Sequence, residues 1–224
     1  MPLKSEMLSK ILTILLWILT AFSVLSLLTT IVYVSDLDLY ITYVYSLDGF
    51  IEVFSYPFYF IVVIVYLIWI YRVHMDLNTL FSYYPRTPGG SLVCMLLPIY
   101  NFYGIPSTFN ILGEHLKRIP AAQKQGLSIK GLAAPLIIFF LGGRWLKQLV
   151  NNHPDVDSTV LVLTFAVDVI LNIVYLVICM RVAKGLTNIQ NIKDNHQTPP
   201  PELEKPTDWI STTLENDFGA DQKS

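Results

Sequence analysis

The chain has 224 residues, of which 53% are hydrophobic and 14% charged, with a mean hydropathy of +0.51 and a formal net charge of −2. Soluble domains carry about 25% charged residues, so this composition is typical of an integral membrane protein. The charge excludes a strongly basic nucleic-acid binder, and little chain remains for a separate soluble domain.

Four apolar stretches are each long enough to cross a bilayer, whose core of about 30 Å requires roughly 20 apolar residues per helix. They lie at about 9–34, 54–72, 132–150 and 158–180. The first begins like a signal peptide, with Lys4 and Lys10 before an apolar run, but that run continues to Val34 and is too long for one. We therefore predict an all-α integral membrane protein with four transmembrane helices, the first of them uncleaved.

The charges at the segment ends predict the orientation, because lysine and arginine favour the cytoplasmic side. Residues 35–53 and 151–157 contain acidic residues but no lysine or arginine, whereas basic residues precede span 1 and follow spans 2 and 4. The two acidic segments are predicted to be outer loops, with both termini cytoplasmic, in a plasma (inner) membrane. Arg144 and Lys147, near the outer end of span 3, are exceptions to this pattern.

Prolines interrupt the segment between spans 2 and 3. Pro98 and Pro106 bound a stretch that we expect to break any helix, since proline removes a backbone hydrogen bond and clashes with the preceding turn. Because basic residues flank both ends, a dip from the cytoplasmic side keeps every basic loop inside. We predict a re-entrant or interfacial broken helix over 91–118. A new helix should start at Pro106 and lie at the membrane surface, with Phe109, Leu112 and Leu116 on one face.

Two groups of side chains near this segment are candidate sites. Irregular backbone at membrane depth needs cover from protein or water, so polar residues there either line a polar pocket or satisfy the turn's own backbone. These residues are Tyr100, Asn101, Tyr103, Ser107 and Thr108. Cytoplasmic basic residues either bind anionic lipid headgroups or serve only as topology determinants. They are Arg72, Arg86, Lys117 and Arg118.

Span 4 carries an acidic residue near its middle, Asp168, where an ionised carboxylate costs roughly 2.5–3.5 kcal/mol on insertion scales. Asn172 follows one turn later on the same helix face. The short loop between spans 3 and 4 predicts antiparallel packing, which brings Arg144 within reach of Asp168. We predict an Arg144–Asp168 pair. Three interpretations stay open: a pair that stabilises the bundle, a proton or ion relay, or snorkelling without pairing.

Small residues predict close helix packing in two spans. Span 1 has a stripe of hydroxyl side chains that favours a packing seam over a pore lining. The stripe consists of Thr13, Thr20, Ser23, Ser26 and Thr30. Gly142 and Gly143 permit a similarly close contact in span 3.

Helical periodicity ends near Thr187, and residues 187–224 contain three basic and seven acidic residues. We predict a membrane domain over 1–186 and a flexible acidic cytoplasmic tail over 187–224, with Asp208-Trp209-Ile210 as its clearest apolar spot. The sequence lacks metalloprotease, nucleophile-elbow and phosphate-loop motifs, and its four histidines lack ligand spacing. We therefore expect no catalytic residue, no metal and no cofactor, and hence no enzyme.

One block of the chain is distinctive. It reads Trp69-Ile70-Tyr71-Arg72, then Tyr83-Tyr84-Pro85-Arg86-Thr87-Pro88-Gly89-Gly90, then Leu97-Pro98-Ile99-Tyr100-Asn101-Phe102-Tyr103-Gly104. The block resembles the bacterial four-span membrane proteins grouped as "domain of unknown function 4328". Their pattern is a Trp–Arg helix end, an Asn-Leu step (here Asp76-Leu77), a proline and a Pro-Ile/Val-x-Asn-aromatic sequence. The similarity covers about residues 55–185 and implies a four-span membrane fold, without an established activity.

Together these features predict a non-enzymatic membrane scaffold or adaptor in the lipid bilayer. It would engage a membrane protein partner or anionic lipid at the cytoplasmic face, or associate with itself. The alternative is a small transporter or channel component, oligomeric, that uses the broken helix and the Arg144–Asp168 pair.

Overall fold

The computed structural model describes residues 3–81, 83–152 and 157–197, and every regular element in these ranges is helical. The residues to Asn191 form one compact unit, and a second unit begins at Ile192. The helices are α1 (Glu6–Ser35), α2 (Leu37–Leu39), α3 (Tyr45–Leu80), α4 (Pro88–Leu96), α5 (Pro98–Lys117), α6 (Gln123–Asn152) and α7 (Ser158–Gln197). A π-helical turn at Tyr40–Val44 and a 3-10 turn at Pro120–Ala122 complete the order.

Four helical segments are long and apolar enough to cross a membrane, the number that the sequence predicted. They are Glu6–Ser35, Leu37–Leu80, Pro120–Asn152 and Ser158–Asn195. Each is longer than its predicted span, because the helices continue into flanking segments that contain charged and polar residues.

Helices α1 and α3 are antiparallel, and polar contacts fix both ends of the pair. At one end the Trp69 indole Nε1 donates to Ser9 Oγ at 2.9 Å, and both side chains are buried. At the other end Thr29 Oγ1 donates to Asp48 Oδ1 at 2.6 Å. The start of α1 therefore lies beside the end of α3.

Helix α7 is antiparallel to both α1 and α6. The Asn172 amide donates to Ser23 Oγ of α1 at 2.6 Å. Near the other end of α7, the Asn188 amide donates to the carbonyl oxygen of Ala121, just before α6, at 2.9 Å. The four long helices thus alternate in direction, and the start of α1 lies at the same end of the bundle as the C-terminal part of α7.

The segment predicted as an outer loop, 35–53, is helical from Leu37 onwards. The Asp36 carboxylate accepts a hydrogen bond from the backbone N–H of Leu39 and so caps the new helix. Asp48 accepts hydrogen bonds from the hydroxyls of Thr29 and Tyr40. Two of the acidic residues that indicated a loop therefore cap a helix or bond to its neighbours.

The break between α4 and α5 lies at Leu97, and α5 runs without interruption through Pro106, so the predicted break over 98–106 is wrong. Leu97 is extended because the ring of Pro98 disfavours helical backbone at the residue before it. The face predicted to lie at the membrane surface is buried in the protein core instead. It consists of Phe109, Leu112 and Leu116, none of which is exposed.

The end of α7 lies later than the sequence indicated, since the helix continues from Thr187 to Gln197. The bond from Asn188 to Ala121 and the burial of Ile189 explain why the first unit extends past residue 186. Residues 198–224, with Asp208-Trp209-Ile210, lie outside the described part of the chain.

Candidate functional site

Hydrogen bonds join the loop between α3 and α4 to both of these helices. The Asn78 amide donates to the carbonyl oxygen of His74 within α3 and to that of Arg86 in the loop, at 2.7 and 3.1 Å. The hydroxyl of Thr87 accepts from the backbone N–H of Gly90 and caps α4. The loop therefore holds Arg86 in a fixed position in front of α5.

The Arg86 guanidinium binds one turn of α5. It donates to Thr108 Oγ1, to Ser107 Oγ at 3.0 Å and to the carbonyl oxygen of Gly104 at 3.3 Å. The Thr108 hydroxyl also donates to the Gly104 carbonyl, at 2.6 Å. This turn contains Pro106, which lacks a backbone donor. The planar, multidentate arginine thus reinforces α5 where proline weakens it.

Aromatic and histidine rings fill the space behind this arginine. The ring of Tyr84 lies 5.7 Å from that of His74 and 4.9 Å from that of His115, and Phe81 contacts both Tyr84 and His115. All three polar rings are buried. Each histidine Nδ1 bonds the carbonyl four residues earlier on its own helix. Burial raises the pKa of the Tyr84 phenol well above its usual range, and the Arg86 charge opposes that shift.

Glycines let the segment between spans 2 and 3 pack closely against its neighbours. A side chain on Gly104 would clash with the backbone of Cys94, so α4 and α5 touch there. A Cβ on Gly185 of α7 would lie 2.9 Å from Leu116 Cδ1 of α5. Outside the core, Glu114 of α5 forms an ion pair with Lys130 of α6 at 2.7 Å, which lowers the pKa of the Glu114 carboxyl. Helix α5 is therefore part of the bundle.

The structure separates the predicted pocket residues. Ser107 and Thr108 bond to Arg86 and are not open to a ligand, whereas Tyr103 is 73% exposed. The side chains of Tyr100 and Asn101 lie outside the described residues. Of the three whose side chains the structure describes, it brings together Ser107 and Thr108, which bond to the helix and to the arginine.

The predicted basic patch is also divided. Arg72 and Arg118 are exposed, and Lys117 is half-buried. Arg86 points into the protein toward α5. Three of the four residues thus stay available to a headgroup, and the fourth has a structural contact that the sequence did not indicate.

Around Leu97, apolar side chains of α4 and α5 are exposed. We call them the junction patch: Val93, Leu96, Leu97, Phe102 and Tyr103. Because Arg86 and the Gly104 contact hold the two helices together, the patch is a fixed surface. Exposed apolar surface on a rigid element faces either lipid or another protein.

The predicted Arg144–Asp168 pair is replaced by a Lys147–Asp168 pair, with Nζ and Oδ2 2.8 Å apart. The Arg144 guanidinium lies over the ring of Phe140 at 5.9 Å. Asn172 bonds to Ser23 of α1 and not to the carboxylate. The predicted antiparallel packing is observed. The residue opposite Asp168 is Lys147, which lies one turn closer than Arg144 to the C-terminal end of α6.

Sequence reasoning missed the contact that anchors α1. The two carboxylate oxygens of Asp76, a buried residue near the end of α3, accept from the backbone N–H groups of Lys4 and Ser5 at 2.9 and 2.8 Å. No signal in the sequence pairs residue 76 with the first turn. The resemblance singled out Asp76 only as a departure from an expected Asn.

The described residues contain no group of three or more His, Cys, Asp or Glu side chains that could hold a metal ion. Comparisons with protein-family models, with curated proteins and with solved structures found no match. The resemblance to the four-span family of unknown function therefore has no independent support.

Proposed function

We propose that this protein is a non-enzymatic multi-pass scaffold of the plasma (inner) membrane, with both termini in the cytoplasm. In this proposal the α4–α5 segment dips into or lies on the cytoplasmic side of the bilayer. Its junction patch then engages a membrane protein partner or a second copy of the chain, while the cytoplasmic basic residues engage anionic lipid.

One observation carries the choice of a scaffold over a transporter. Three acidic side chains within the candidate spans are each paired with a neighbouring helix. Asp48 accepts from Thr29, Asp76 from the start of α1, and Asp168 forms an ion pair with Lys147. Carboxylates with such partners stabilise a packed bundle, whereas a transport pathway needs groups that exchange partners with the substrate.

The rigidity of the α4–α5 segment supports the same choice. A surface that binds a partner loses less entropy if it is ordered before binding. Arg86 joins the loop to α5, and close glycine contacts join α5 to its neighbours, so the junction patch is preorganised.

Copurification with a matched pair of tyrosine variants tests the proposal. Tyr103 of the junction patch is 73% exposed, and Tyr56 on α3 is 71% exposed, so the two alanine variants remove equal side chains from similar environments. We expect Tyr103→Ala to lose a stoichiometric partner or self-association, measured by mass spectrometry and light scattering in mild detergent. Tyr56→Ala should retain it.

A different result would overturn the scaffold. If the wild-type chain is a monomer without a partner, or if both variants behave alike, the junction patch is not a docking surface. An ion flux in liposomes that Asp168→Asn abolishes would support the transporter alternative. A topology reporter placed after Lys124 that reads outside the cell would contradict the predicted orientation.

A further inference from the structure

A groove runs between the first turns of α1 and the C-terminal part of α7. Its volume is about 660 Å³. Its apolar wall includes Leu3 and Ile14 from one side and Met180 and Leu186 from the other. Both helices are long and apolar enough to span a membrane, so the groove lies where lipid would meet the protein.

The polar rim of the groove carries an excess of positive charge. Lys10 and Lys184 lie on opposite helices, and Glu6 is the single acidic side chain of the lining. Glu6 forms an ion pair with Lys10 at 2.9 Å, four residues along α1. In the described chain no carboxylate forms an ion pair with Lys184, which is exposed. One uncompensated ammonium therefore stands at the rim.

Three of the four hydroxyls in the lining donate to carbonyl groups of their own helices. Ser9 donates to the carbonyl of Ser5, Thr13 to that of Ser9, and Thr187 to that of Ala183. A ligand would consequently meet lysine ammonium groups at the rim and apolar side chains below them. This order of groups, a cation above a slot of hydrocarbon, matches an anionic phospholipid with its phosphodiester outside and an acyl chain inside.

We infer that this groove binds one anionic phospholipid, with the phosphodiester on Lys184 and an acyl chain between α1 and α7. The inference rests on the proposed membrane insertion and cytoplasmic orientation, since the groove lies at the bundle end that carries both lysines. It goes beyond the basic patch of Arg72, Lys117 and Arg118, because it places the lipid at a different pair of helices.

Native mass spectrometry of the full chain in detergent tests the site, with phosphatidylglycerol and phosphatidylcholine as probes. A lysine near a membrane surface contributes about 1 kcal/mol, so Lys184→Gln should weaken phosphatidylglycerol binding about fivefold and leave phosphatidylcholine binding unchanged. Lys124→Gln, which removes an exposed lysine of α6 outside the groove, is the matched control and should have no effect.

A second variant tests the apolar slot without changing the charge. Ala183 lines the groove, and Ala183→Leu should narrow it and weaken binding of both lipids' acyl chains. A thermal unfolding curve establishes that each variant is folded before its lipid binding is compared. Equal losses for Lys184→Gln and Lys124→Gln, or full binding by Ala183→Leu, would overturn the site. Partner binding that still depends on Tyr103 would show that the scaffold proposal survives such a failure.

Discussion

Gly113 of α5 and Gly126 of α6 bring two helix backbones into direct contact. A Cβ on Gly126 would lie 2.5 Å from the carbonyl oxygen of Gly113, and a Cβ on Gly113 would lie 2.8 Å from that of Gly126. Neither backbone can move aside as a flexible side chain would. The position of α5 in the bundle therefore depends on the absence of two side chains.

Gly126→Ala should destabilise the protein, because even one methyl group forces α5 and α6 apart. We expect a loss of about 1–3 kcal/mol, the usual cost of overpacking. Thermal unfolding in detergent measures it. Gly131→Ala on the same helix is the control, since a Cβ there meets nothing within 4 Å. It should be neutral or stabilising by up to about 1 kcal/mol from helix propensity. Equal effects at the two positions would contradict the contact.

Exchanging the charges of Lys147 and Asp168 should restore stability that either single reversal removes. The two side chains form the ion pair at 2.8 Å, and Lys147 is more than half exposed, so we expect a coupling of about 1 kcal/mol. A double-mutant cycle on unfolding free energies gives this value. The corresponding exchange between Arg144 and Asp168 should restore nothing. Rescue by that second exchange instead would support the pair predicted from the sequence.

Tyr84→Phe should leave the protein folded and make it more stable by about 1 kcal/mol. The Tyr84 hydroxyl is buried without a hydrogen-bond partner in the described chain, and phenylalanine removes the desolvated group. Tyr83→Phe is the control, because the neighbouring ring is 82% exposed and its hydroxyl is solvated. A loss of stability in Tyr84→Phe would mean that the hydroxyl has a partner, such as a buried water.

The same tyrosine should make the protein sensitive to alkali. Burial raises its folded-state pKa above the ordinary value of 10.0, so the unfolded chain loses this proton first as the pH rises. Below pH 10 the phenol is protonated in both states and stability does not depend on its titration. As the pH rises above 10, the unfolded state binds fewer protons than the folded state, and stability falls. Unfolding curves between pH 9 and about 11 should fall less steeply for Tyr84→Phe than for the wild type.

Asp76→Ala should release the start of α1 while the rest of the bundle stays folded. The substitution leaves two backbone N–H groups without acceptors, at a cost of about 1–3 kcal/mol each when buried. Hydrogen exchange at residues 4–9 should accelerate, and limited proteolysis should cut there. Asp38→Ala removes an exposed carboxylate near the other end of α1 and should change neither measurement. Unchanged exchange in Asp76→Ala would contradict the anchor.

Hydropathy and charge predicted four spans because both signals belong to single segments and can be read locally. The alternating direction of the long helices followed from the positions of the basic residues and the short connections. The helical structure over Leu37–Val44 was missed, since the acidic residues on either side of it indicate a loop. In the structure Asp36 caps this helix, and Asp48 accepts from Thr29 and Tyr40. That pairing depends on where α1 ends, which composition does not specify.

The candidate site was predictable only in part. The positions of Arg144 and Asp168 along their antiparallel helices predicted a cation of α6 beside the carboxylate. Position along a helix does not fix the rotation of the helix about its axis, and Lys147 is the cation that faces Asp168. Pro98 ends helical structure at the residue before it, Leu97, as expected. Pro106, in contrast, lies within the continuous helix α5, where the Arg86 guanidinium donates to the Gly104 carbonyl. The supporting contact comes from a residue 18 positions away from Gly104, which rules on neighbouring residues do not predict.

The anchor between Asp76 and Ser5 also constrains how the chain is assembled. The two residues are 71 positions apart, and the ribosome makes Ser5 first. The start of α1 therefore lacks its carboxylate acceptor until most of α3 has been synthesised. Completion of the first helix is thus coupled to synthesis of α3, and a chain truncated before residue 76 would lack the acceptor that holds the start of α1.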